Sequence, residues 1–476
     1  MNKFFGRSFL AVALCSAVVL TSCDGSDPLL PDNTVKFQAA TQGLAATESE
    51  ITVTITLDRA VETAGDVTIS FVATGLTYGP DFITAPVVDA NNKIVIPVAV
   101  GATSATFKVT KTNTTGLHGD EKIDFTIESV PSGLVLGTQS TFSLSFSEII
   151  ATSATMTIDG GGTNAQNRVF IDLSGNRQTA VARSAWDLAF ASEAGTFRVY
   201  LNSSNKMLAR SIDKNDLTEV TSADADGFSS QVDLPAIFAA VMGPPPSWLP
   251  DAVTWMDSPS DVETTAIAEI DADADNNLVY IVNRGYDASN TQLGWYKIRV
   301  IRDGVNYTLQ YTNNLDATTF TSVSIPKNAT TDRTYFSFTD AKVVTVEPAT
   351  GSWDIAWTGL TDQTDFGSGF IPYYFQDVII QNTANVSTAQ VLEATVSYDA
   401  YAESNIANTD FVTSNQTNIG ASWRTLGQSG SSLNADRYYV IKDAAGNVYK
   451  LKFTSLTTEN LRGKPQIKFD LVKKGS

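Results

Sequence analysis

The sequence is poor in the side chains that cross-link a chain, hold a soft metal ion or form a catalytic nucleophile pair. Its 476 residues include two cysteines and one histidine, His118. A disulfide framework, a thiolate zinc site and a Ser–His or Cys–His pair in the C-terminal region are therefore excluded. The sequence also lacks phosphate-binding loops and dinucleotide fingerprints. Glycoside hydrolysis, which needs only two carboxylates, is the one chemistry that survives, and we predict a protein that is not an enzyme.

Positive charge is scarce as well. The chain has 32 Lys and Arg residues against 51 Asp and Glu residues, which gives a formal net charge of −19. Such a surface repels the phosphates of nucleic acids and of anionic membranes. We therefore expect no nucleic-acid partner, and we expect the protein to engage a small-molecule ligand or an outer-membrane receptor.

The N-terminus combines a positive start, a short apolar run that ends at Leu20, and small polar residues before Cys23. The apolar run is too short to span a bilayer, and the order is typical of a bacterial lipoprotein signal peptide whose cysteine is acylated. We predict a signal peptide over residues 1–22 and a lipidated N-terminus and linker over 23–33. Lipidation of Cys23 would attach the mature protein to the outer membrane.

Two acidic residues, Asp24 and Asp27, closely follow the predicted lipidation site. Their position resembles the acidic export signal of surface lipoproteins in the Bacteroidetes. The resemblance implies display on the cell surface rather than on the periplasmic side of the outer membrane.

Helical periodicity is nearly absent, and alternation of apolar and polar residues dominates instead. The stretches 51–57, 106–109 and 297–300 alternate β-branched or aromatic residues with polar ones. A period of two is typical of strands with one buried face, so we predict an all-β protein of sandwich-like units. The exception is a short helix expected over Leu234–Val241, with Asp233 as its N-cap and three prolines after its end.

Two motifs recur in the same order along the C-terminal region. Trp-Asp-Leu-Ala-Phe at 186–190 returns as Trp-Asp-Ile-Ala-Trp at 353–357. Trp-Tyr-Lys-Ile-Arg-Val at 295–300 returns as Val-Tyr-Lys-Leu-Lys-Phe at 448–453. The shared order indicates duplication of a β unit of about 150 residues, which is an ordinary domain size.

The repeat and the local composition together divide the mature chain. We predict a first β unit over 34–150, because a polar, glycine-rich stretch that is typical of a connection begins near residue 151. The duplicated region that follows is divided into predicted units over 151–325 and 326–476.

The motifs of the first unit resemble those of a Calx-beta domain. They are an acidic turn at 47–50, Tyr-Gly-Pro-Asp-Phe at 78–82 and Gly-Asp-Glu-Lys-Ile-Asp-Phe at 119–125. The resemblance covers about 115 residues and implies an immunoglobulin-like β-sandwich. In its calcium-binding members, carboxylates converge at one end of the sandwich.

Four carboxylates match such positions: Glu48, Asp81, Asp120 and Glu121. Calcium takes six to eight oxygen ligands, so these residues would supply part of a coordination shell. The alternative is a structural role, in which the carboxylates only close turns and open strands. Calcium is therefore an expected cofactor only if these carboxylates converge as metal ligands.

The C-terminal region resembles HmuY-type lipoproteins of the Bacteroidetes. The resemblance rests on Tyr-Phe-Ser-Phe at 335–338, on the Trp-Asp motif at 353–357 and on Gly-Asn-Val-Tyr-Lys-Leu-Lys-Phe at 446–453, and it covers residues 165–472. It implies an antiparallel all-β fold and a binding function, because the family includes a haemophore that holds haem between two β-layers with two axial ligands.

Haem iron needs imidazole, thiolate, thioether or phenolate, and the single histidine excludes bis-histidine ligation within this region. Some relatives use methionine, and the methionines available are Met156, Met207, Met242 and Met256. The resemblance favours Met207, which follows the first Trp-Asp strand, with Tyr373 and Tyr374 after the second as candidate haem contacts. Alternatively, Met207 fills a packing gap and the tyrosines form an aromatic edge. We expect haem binding to be lost, which leaves a binding or scaffold lipoprotein.

A third function class is surface glycan binding. Exposed aromatic side chains serve as stacking platforms for sugars, and the candidates are Trp248, Trp255 and Trp295. This alternative stays open at the level of sequence, beside a haem or porphyrin carrier with methionine ligation.

Overall fold

The computed structural model describes residues 31–475 except for 45–47, 113–120, 147–150, 368, 428–429 and 459–460. Cys23, Asp120 and His118 therefore lie outside the described residues. Strands dominate the described chain, and the predicted all-β class is confirmed. In this part of the chain, the helices are too short to cross a membrane.

The N-terminal unit is a sandwich of two five-stranded sheets, ordered β5-β7-β3-β1-β9 and β2-β10-β8-β4-β6. Its strands are β1 (Thr34–Phe37), β2 (Thr41–Gly43), β3 (Glu50–Leu57), β4 (Gly65–Thr74), β5 (Phe82–Ala85), β6 (Ile94–Val98), β7 (Ser104–Lys111), β8 (Lys122–Ser129), β9 (Val135–Leu136) and β10 (Thr141–Ser145). Along β3 every second residue is buried, as the alternation predicts. The inward-facing residues form one core between the two sheets, which includes Phe107 and Phe125 in edge-to-face contact.

In the C-terminal region, the described residues form twenty strands in four larger sheets and one small hairpin. They are β11 (Ser153–Thr157), β12 (Asn167–Asp172), β13 (Arg177–Ala182), β14 (Leu188–Ala191), β15 (Val199–Leu201), β16 (Leu208–Ile212), β17 (Val279–Asn283), β18 (Trp295–Asp303), β19 (Asn306–Thr312), β20 (Thr321–Ile325), β21 (Arg333–Ser337), β22 (Lys342–Val344), β23 (Ile355–Asp365), β24 (Phe370–Gln381), β25 (Ser387–Leu392), β26 (Arg424–Gly427), β27 (Gly430–Leu433), β28 (Arg437–Lys442), β29 (Val448–Ser455) and β30 (Gln466–Lys473).

The predicted helix is confirmed. Helix α1 covers Leu234–Val241, and the Asp233 side chain accepts a hydrogen bond from the Ala236 backbone N–H at 3.4 Å. The remaining helices are single 3₁₀ segments, at Gly162–Asn164, Arg183–Ala185, Ser203–Asn205, Leu217–Glu219, Ser222–Ala225, Phe228–Ser230, Leu249–Trp255, Ala274–Asn276 and Glu403–Asn408.

The two repeats exchange their first hairpins. β12 pairs with β23 of the second repeat, so that Phe170 faces Ala356, and β21 pairs with β14 of the first repeat, so that Tyr335 faces Ala189. The resulting sheets run β13-β12-β23-β24 and β15-β14-β21-β22. The predicted boundary between residues 325 and 326 stays a prediction, and these two sheets contain strands from both sides of it.

The other two sheets complete the repeats. β16-β17-β18-β19-β20 forms within the first repeat, whereas β11-β30-β29-β28-β25 joins the first strand of the region to the last. β11 runs antiparallel to β30, with Ser153 opposite Asp470 and Thr157 opposite Gln466. The ends of the C-terminal region are thus held together by backbone hydrogen bonds.

The repeated tryptophans pack on the exchanged hairpins. Trp186 meets the ring of Tyr335 edge-on at 4.9 Å, and Trp353 meets the ring of Phe170 edge-on at 5.1 Å. All four rings are buried. The tryptophans of the Trp-Asp motif thus have a structural role, because each buries a large apolar face against the partner repeat.

Candidate ligand site between the repeats

A bulge in the β23–β24 hairpin creates the candidate site. The register shifts between Thr358 and Leu360, which leaves Gly359 without a direct partner across the hairpin. A Cβ atom at position 359 would overlap the Tyr374 hydroxyl and lie 2.8 Å from Nη1 of Arg183. The glycine therefore allows Arg183 to donate a hydrogen bond to the Tyr374 hydroxyl.

Asp377 lies on the other strand of the same bulge. Its φ angle is 55°, in the left-handed region that residues other than glycine seldom adopt. Arg462 donates to Asp377 Oδ2 at 2.9 Å, and Nε of Arg424 lies 3.7 Å from the same oxygen. The strained backbone is held in place by these two arginines, and such strain is common at functional sites.

These residues surround a cavity of about 180 Å³, which we call the inter-repeat cavity. Its walls come from both repeats: the turn before β12, the segment after β13, the loop after β17, the β23–β24 bulge and the loop before β30. The residues with chemical function are Arg183, Trp357, Tyr374, Gln376, Asp377 and Arg462.

Three polar atoms of the cavity walls have no hydrogen-bond partner in the described part of the chain. They are Nε1 of Trp357, Nε of Arg183 and Oδ1 of Asp377. The three side chains are only 1%, 8% and 9% exposed. A buried polar group without a partner costs about 1–3 kcal/mol of folding free energy. Polar groups that entered the cavity and completed these hydrogen bonds would therefore be stabilised there.

The cavity is electropositive in a strongly acidic protein. Two arginines and one aspartate line it, and the Lys206 ammonium lies 5.0 Å from the centre of the Tyr374 ring. Burial raises the pKa of Tyr374, although Arg183 opposes this, and burial with repulsion from Arg183 lowers the pKa of Lys206. The phenol therefore stays neutral at pH 7, and the excess positive charge favours a ligand with an anionic group.

The candidate haem residues lie in three different environments. Met207 is 1% exposed in a hydrophobic cluster with Leu188 and Phe190, and it does not line the inter-repeat cavity. Tyr374 lines the inter-repeat cavity, whereas Tyr373 is 36% exposed at the surface. The structure thus does not bring these three side chains to one surface.

Tyr373 belongs to an exposed aromatic cluster, as the alternative of an aromatic edge expects, but the phenylalanines of the cluster were not identified from the sequence. Phe366 lies 5.5 Å from its ring centre, Phe375 lies 5.1 Å away and Phe238 of α1 lies 6.3 Å away. The candidate glycan platforms are elsewhere: Trp255 is 4% exposed and stacks on Trp248 inside a hydrophobic cluster. Trp295 is half-buried and packs against the same cluster.

The candidate calcium ligands are used in other contacts. Glu48 forms a 2.7 Å ion pair with Arg177 of the C-terminal region, and Asp81 accepts a hydrogen bond from the Thr77 backbone N–H at 2.7 Å. Glu121 is buried, and Asp120 lies outside the described residues. Within the described ranges, no three acidic, histidine or cysteine side chains converge as metal ligands. Calcium binding stays a prediction.

Sequence reasoning found only Tyr374 among the functional residues of the inter-repeat cavity. One signal was available: the second repeat continues its Trp-Asp strand with Trp357, a threonine and Gly359, where the first has Phe190, an alanine and Ser192. A glycine inside a strand indicates a bulge or a close backbone approach. Arg183 and Arg462 gave no such signal, since Arg183 begins a short 3₁₀ segment, Arg462 lies in a loop, and the two are far apart in sequence.

Comparisons with known proteins complete the description. The family model described as "HmuY protein" matches residues 164–327 and 329–470. No curated protein matches the chain. Among solved structures, the apo form of the Calx CBD1 domain is similar, with 13% identity over 25% of this chain and 97% of that chain and a TM-score of 0.21.

Two bacterial structures are similar as well. A two-domain protein of unknown function from Bacteroides fragilis is 11% identical over 38% of this chain and 76% of that chain, with a TM-score of 0.19. A putative carbohydrate-binding protein from Bacteroides ovatus is 10% identical over 93% of this chain and 99% of that chain, with a TM-score of 0.18.

Proposed function

This chain belongs to the HmuY family, a family of binding proteins, and we propose that it is a non-catalytic lipoprotein that binds a small, hydroxyl-bearing anionic ligand in the inter-repeat cavity. The observation that carries the proposal is the set of three buried polar atoms without partners around that cavity, on Arg183, Trp357 and Asp377. Lipidation at Cys23 would hold the protein on the outer face of the outer membrane.

The chemistry of the unpartnered atoms indicates the ligand class. Nε of Arg183 and Nε1 of Trp357 are hydrogen-bond donors, whereas Oδ1 of Asp377 is an acceptor, and none of the three has a partner in the described part of the chain. A ligand that satisfies all three needs both acceptor and donor groups, as hydroxyls provide. The excess positive charge from Arg183, Arg462 and the nearby Lys206 adds a preference for a carboxylate. An acidic monosaccharide has this combination.

The size of the cavity agrees with a ligand of that class. Drug-sized ligands occupy cavities of about 300–1,000 Å³, and the inter-repeat cavity measures about 180 Å³. Haem is larger than such a cavity can enclose, and the Met207 thioether lies in a hydrophobic core. Haem binding through methionine is therefore the less favoured alternative.

Isothermal titration of residues 24–476 with glucuronate and galacturonate, and with glucose and galactose for comparison, tests the proposal. We expect saturable binding of one equivalent, with the acidic sugars bound more tightly. Trp357→Phe removes one unpartnered donor of the cavity and should weaken binding about tenfold. Trp353→Phe is the matched control, because Nε1 of Trp353 is also buried without a partner but lies outside the cavity walls. Failure of all four sugars to bind would contradict the ligand class.

A further inference from the structure

A second cavity, of about 50 Å³, lies where the exchanged hairpins meet the first Trp-Asp strand. We call it the arginine cavity, because Arg168 of β12 and Arg333 of β21 both line it. Trp186, Tyr200 and Asp257 form other parts of its wall. A volume of this size holds a few water-sized groups, so its occupant is small.

The two arginines occupy equivalent places in the two repeats. Each stands two residues before the hairpin aromatic, Phe170 or Tyr335, that packs on the tryptophan of the other repeat. Arg168 lies over the Phe170 ring at 4.7 Å, and Arg333 lies over the Tyr200 ring at 4.0 Å. The exchange of hairpins thus brings two guanidinium groups from different repeats to the same cavity.

Neither guanidinium has a hydrogen-bond or ion-pair partner among the residues that the structure describes. Arg168 is 7% exposed, and its Nε is a buried donor without an acceptor. Nε1 of Trp186, also in the cavity wall, is a second buried donor without an acceptor. Buried donors are normally paired, and buried charges even more so.

The two nearby carboxylates are engaged by other donors. Glu347 accepts hydrogen bonds from the backbone N–H of Arg333 and the hydroxyl of Tyr335, both at 2.8 Å. Asp257 Oδ2 accepts from the Leu201 backbone N–H at 2.6 Å, and its Oδ1 accepts from the Ala266 N–H at 3.0 Å. These carboxylates reduce the net positive charge around the cavity but do not accept hydrogen bonds from the two guanidinium groups.

We propose that the arginine cavity binds a small oxyanion between Arg168 and Arg333, with Nε1 of Trp186 as a further donor. Guanidinium groups bind carboxylates and tetrahedral oxyanions through paired, charge-assisted hydrogen bonds, which fits an occupant of this size. Because the two arginines belong to different repeats, the bound anion links the exchanged hairpins and stabilises the folded protein by mass action. The site adjoins the inter-repeat cavity, since Gly359 lines both, but its donor groups are different and it does not depend on the function proposed for that cavity.

The probes are sodium sulfate, phosphate and acetate, compared with sodium chloride at equal ionic strength. Calorimetric titration and thermal unfolding of residues 24–476 should show one saturable site, with a melting temperature that rises and then levels off. A preference for sulfate or phosphate would identify a tetrahedral anion, and a preference for acetate would identify a carboxylate. A melting temperature that rises without saturation for all three salts, with no binding heat, would overturn the proposal.

Variants with opposite expected effects separate anion binding from folding defects. Arg168→Met should weaken binding at least about tenfold, whereas Asp257→Asn removes a carboxylate that opposes the anion and should tighten it. Arg437→Met is the control, because that arginine pairs with Asp436 at the start of β28 and lines neither cavity. If Arg168→Met does not fold, tighter binding by Asp257→Asn still supports the site. Unchanged affinity in both variants would contradict it.

Discussion

Asp354 in the second repeat accepts a hydrogen bond at 2.8 Å from the backbone N–H of Leu173 in the first. Asp187 makes the reciprocal contact, accepting from the N–H of Phe338 at 2.7 Å. Each aspartate thus accepts a hydrogen bond at the end of the exchanged hairpin that comes from the other repeat. The motif that marks the repeat in the sequence is also the contact that joins the repeats in space.

The two aspartates differ in their charged neighbours. Arg284 pairs with Asp187 at 2.7 Å, so this buried carboxylate has a counter-ion. Asp354 instead lies near two other acidic residues, Asp172 and Asp443. Burial, followed by repulsion from Asp172 and then Asp443, raises the pKa of Asp354 well above its ordinary value of 3.8. The carboxylate of the equivalent contact is therefore ion-paired in one repeat, whereas in the other it has no ion pair among the described residues and only the Coulombic effect of Arg177 and the hydrogen bond from Leu173 oppose the rise in its pKa.

Replacing Asp354 by Asn should stabilise the protein at neutral pH. A carboxyl group whose pKa is raised on folding stabilises the protein fully below the unfolded pKa, and this stabilisation is lost as the pH rises toward the folded pKa. Asn keeps an acceptor for the Leu173 N–H without the charge. Urea unfolding between pH 4 and pH 8 should show a gain for Asp354→Asn that grows with pH. A gain that is independent of pH, or a loss at pH 8, would contradict the assignment.

The equivalent substitution in the first repeat, Asp187→Asn, should destabilise the protein instead. Asp187→Asn leaves the buried Arg284 without its counter-ion, and breaking a buried pair costs about 3–5 kcal/mol. The free energy of unfolding, measured by urea denaturation at pH 7, should fall by about this amount. The comparison with Asp354→Asn is the control, since both changes keep the backbone acceptor. Equal effects at the two positions would show that the charged neighbours are unimportant.

Gly359→Ala should disrupt the inter-repeat cavity. The added methyl group overlaps the Tyr374 hydroxyl and crowds Arg183, so the bulge must shift at a cost of about 1–3 kcal/mol. We expect a lower melting temperature together with loss of sugar binding. Gly243→Ala is a suitable control, because a Cβ atom there meets no neighbouring atom within 4 Å. Unchanged sugar binding by Gly359→Ala would place the ligand site elsewhere.

Membrane attachment should depend on Cys23. Each acyl chain contributes about 0.8 kcal/mol per buried CH₂ group, and two or more chains give durable anchoring. Cys23→Ala expressed in the native host should move the protein from the membrane fraction to the soluble fraction after cell lysis. Protease treatment of intact cells then reports which side of the outer membrane the wild-type protein faces. Retention of the variant in the membrane fraction would exclude lipid anchoring.

Haemin titration should give only the spectrum of free or nonspecifically bound haem, in either oxidation state. The Met207 sulfur is enclosed in a hydrophobic core, and ligation would require that core to open. Met207→Leu keeps the packing and removes the thioether, so the two proteins should behave alike. A sharp low-spin spectrum that saturates at one equivalent and disappears in Met207→Leu would show methionine ligation.

The alternation of apolar and polar residues was enough to predict β3 and part of β7 in the N-terminal sandwich, because each of these strands has one buried face. Asp233 and the prolines after α1 were enough to predict a helix with the observed bounds, because both are local signals. The repeated Trp-Asp motif likewise indicated the duplication. These features depend on residues close together in the chain, and the sequence by itself determined them.

The exchange of hairpins could not be predicted in this way, because alternation defines the faces of β12 and β21 but not their neighbours in a sheet. The two cavities follow from that exchange. Arg183, Tyr374 and Arg462 meet, and Arg168 meets Arg333, only because strands from different repeats lie side by side. The raised pKa of Asp354 and the ion pair between Glu48 and Arg177 also depend on residues that are far apart in sequence and meet only in the folded protein. Electrostatic environment depends on distances across the fold, and only the tertiary structure sets those distances.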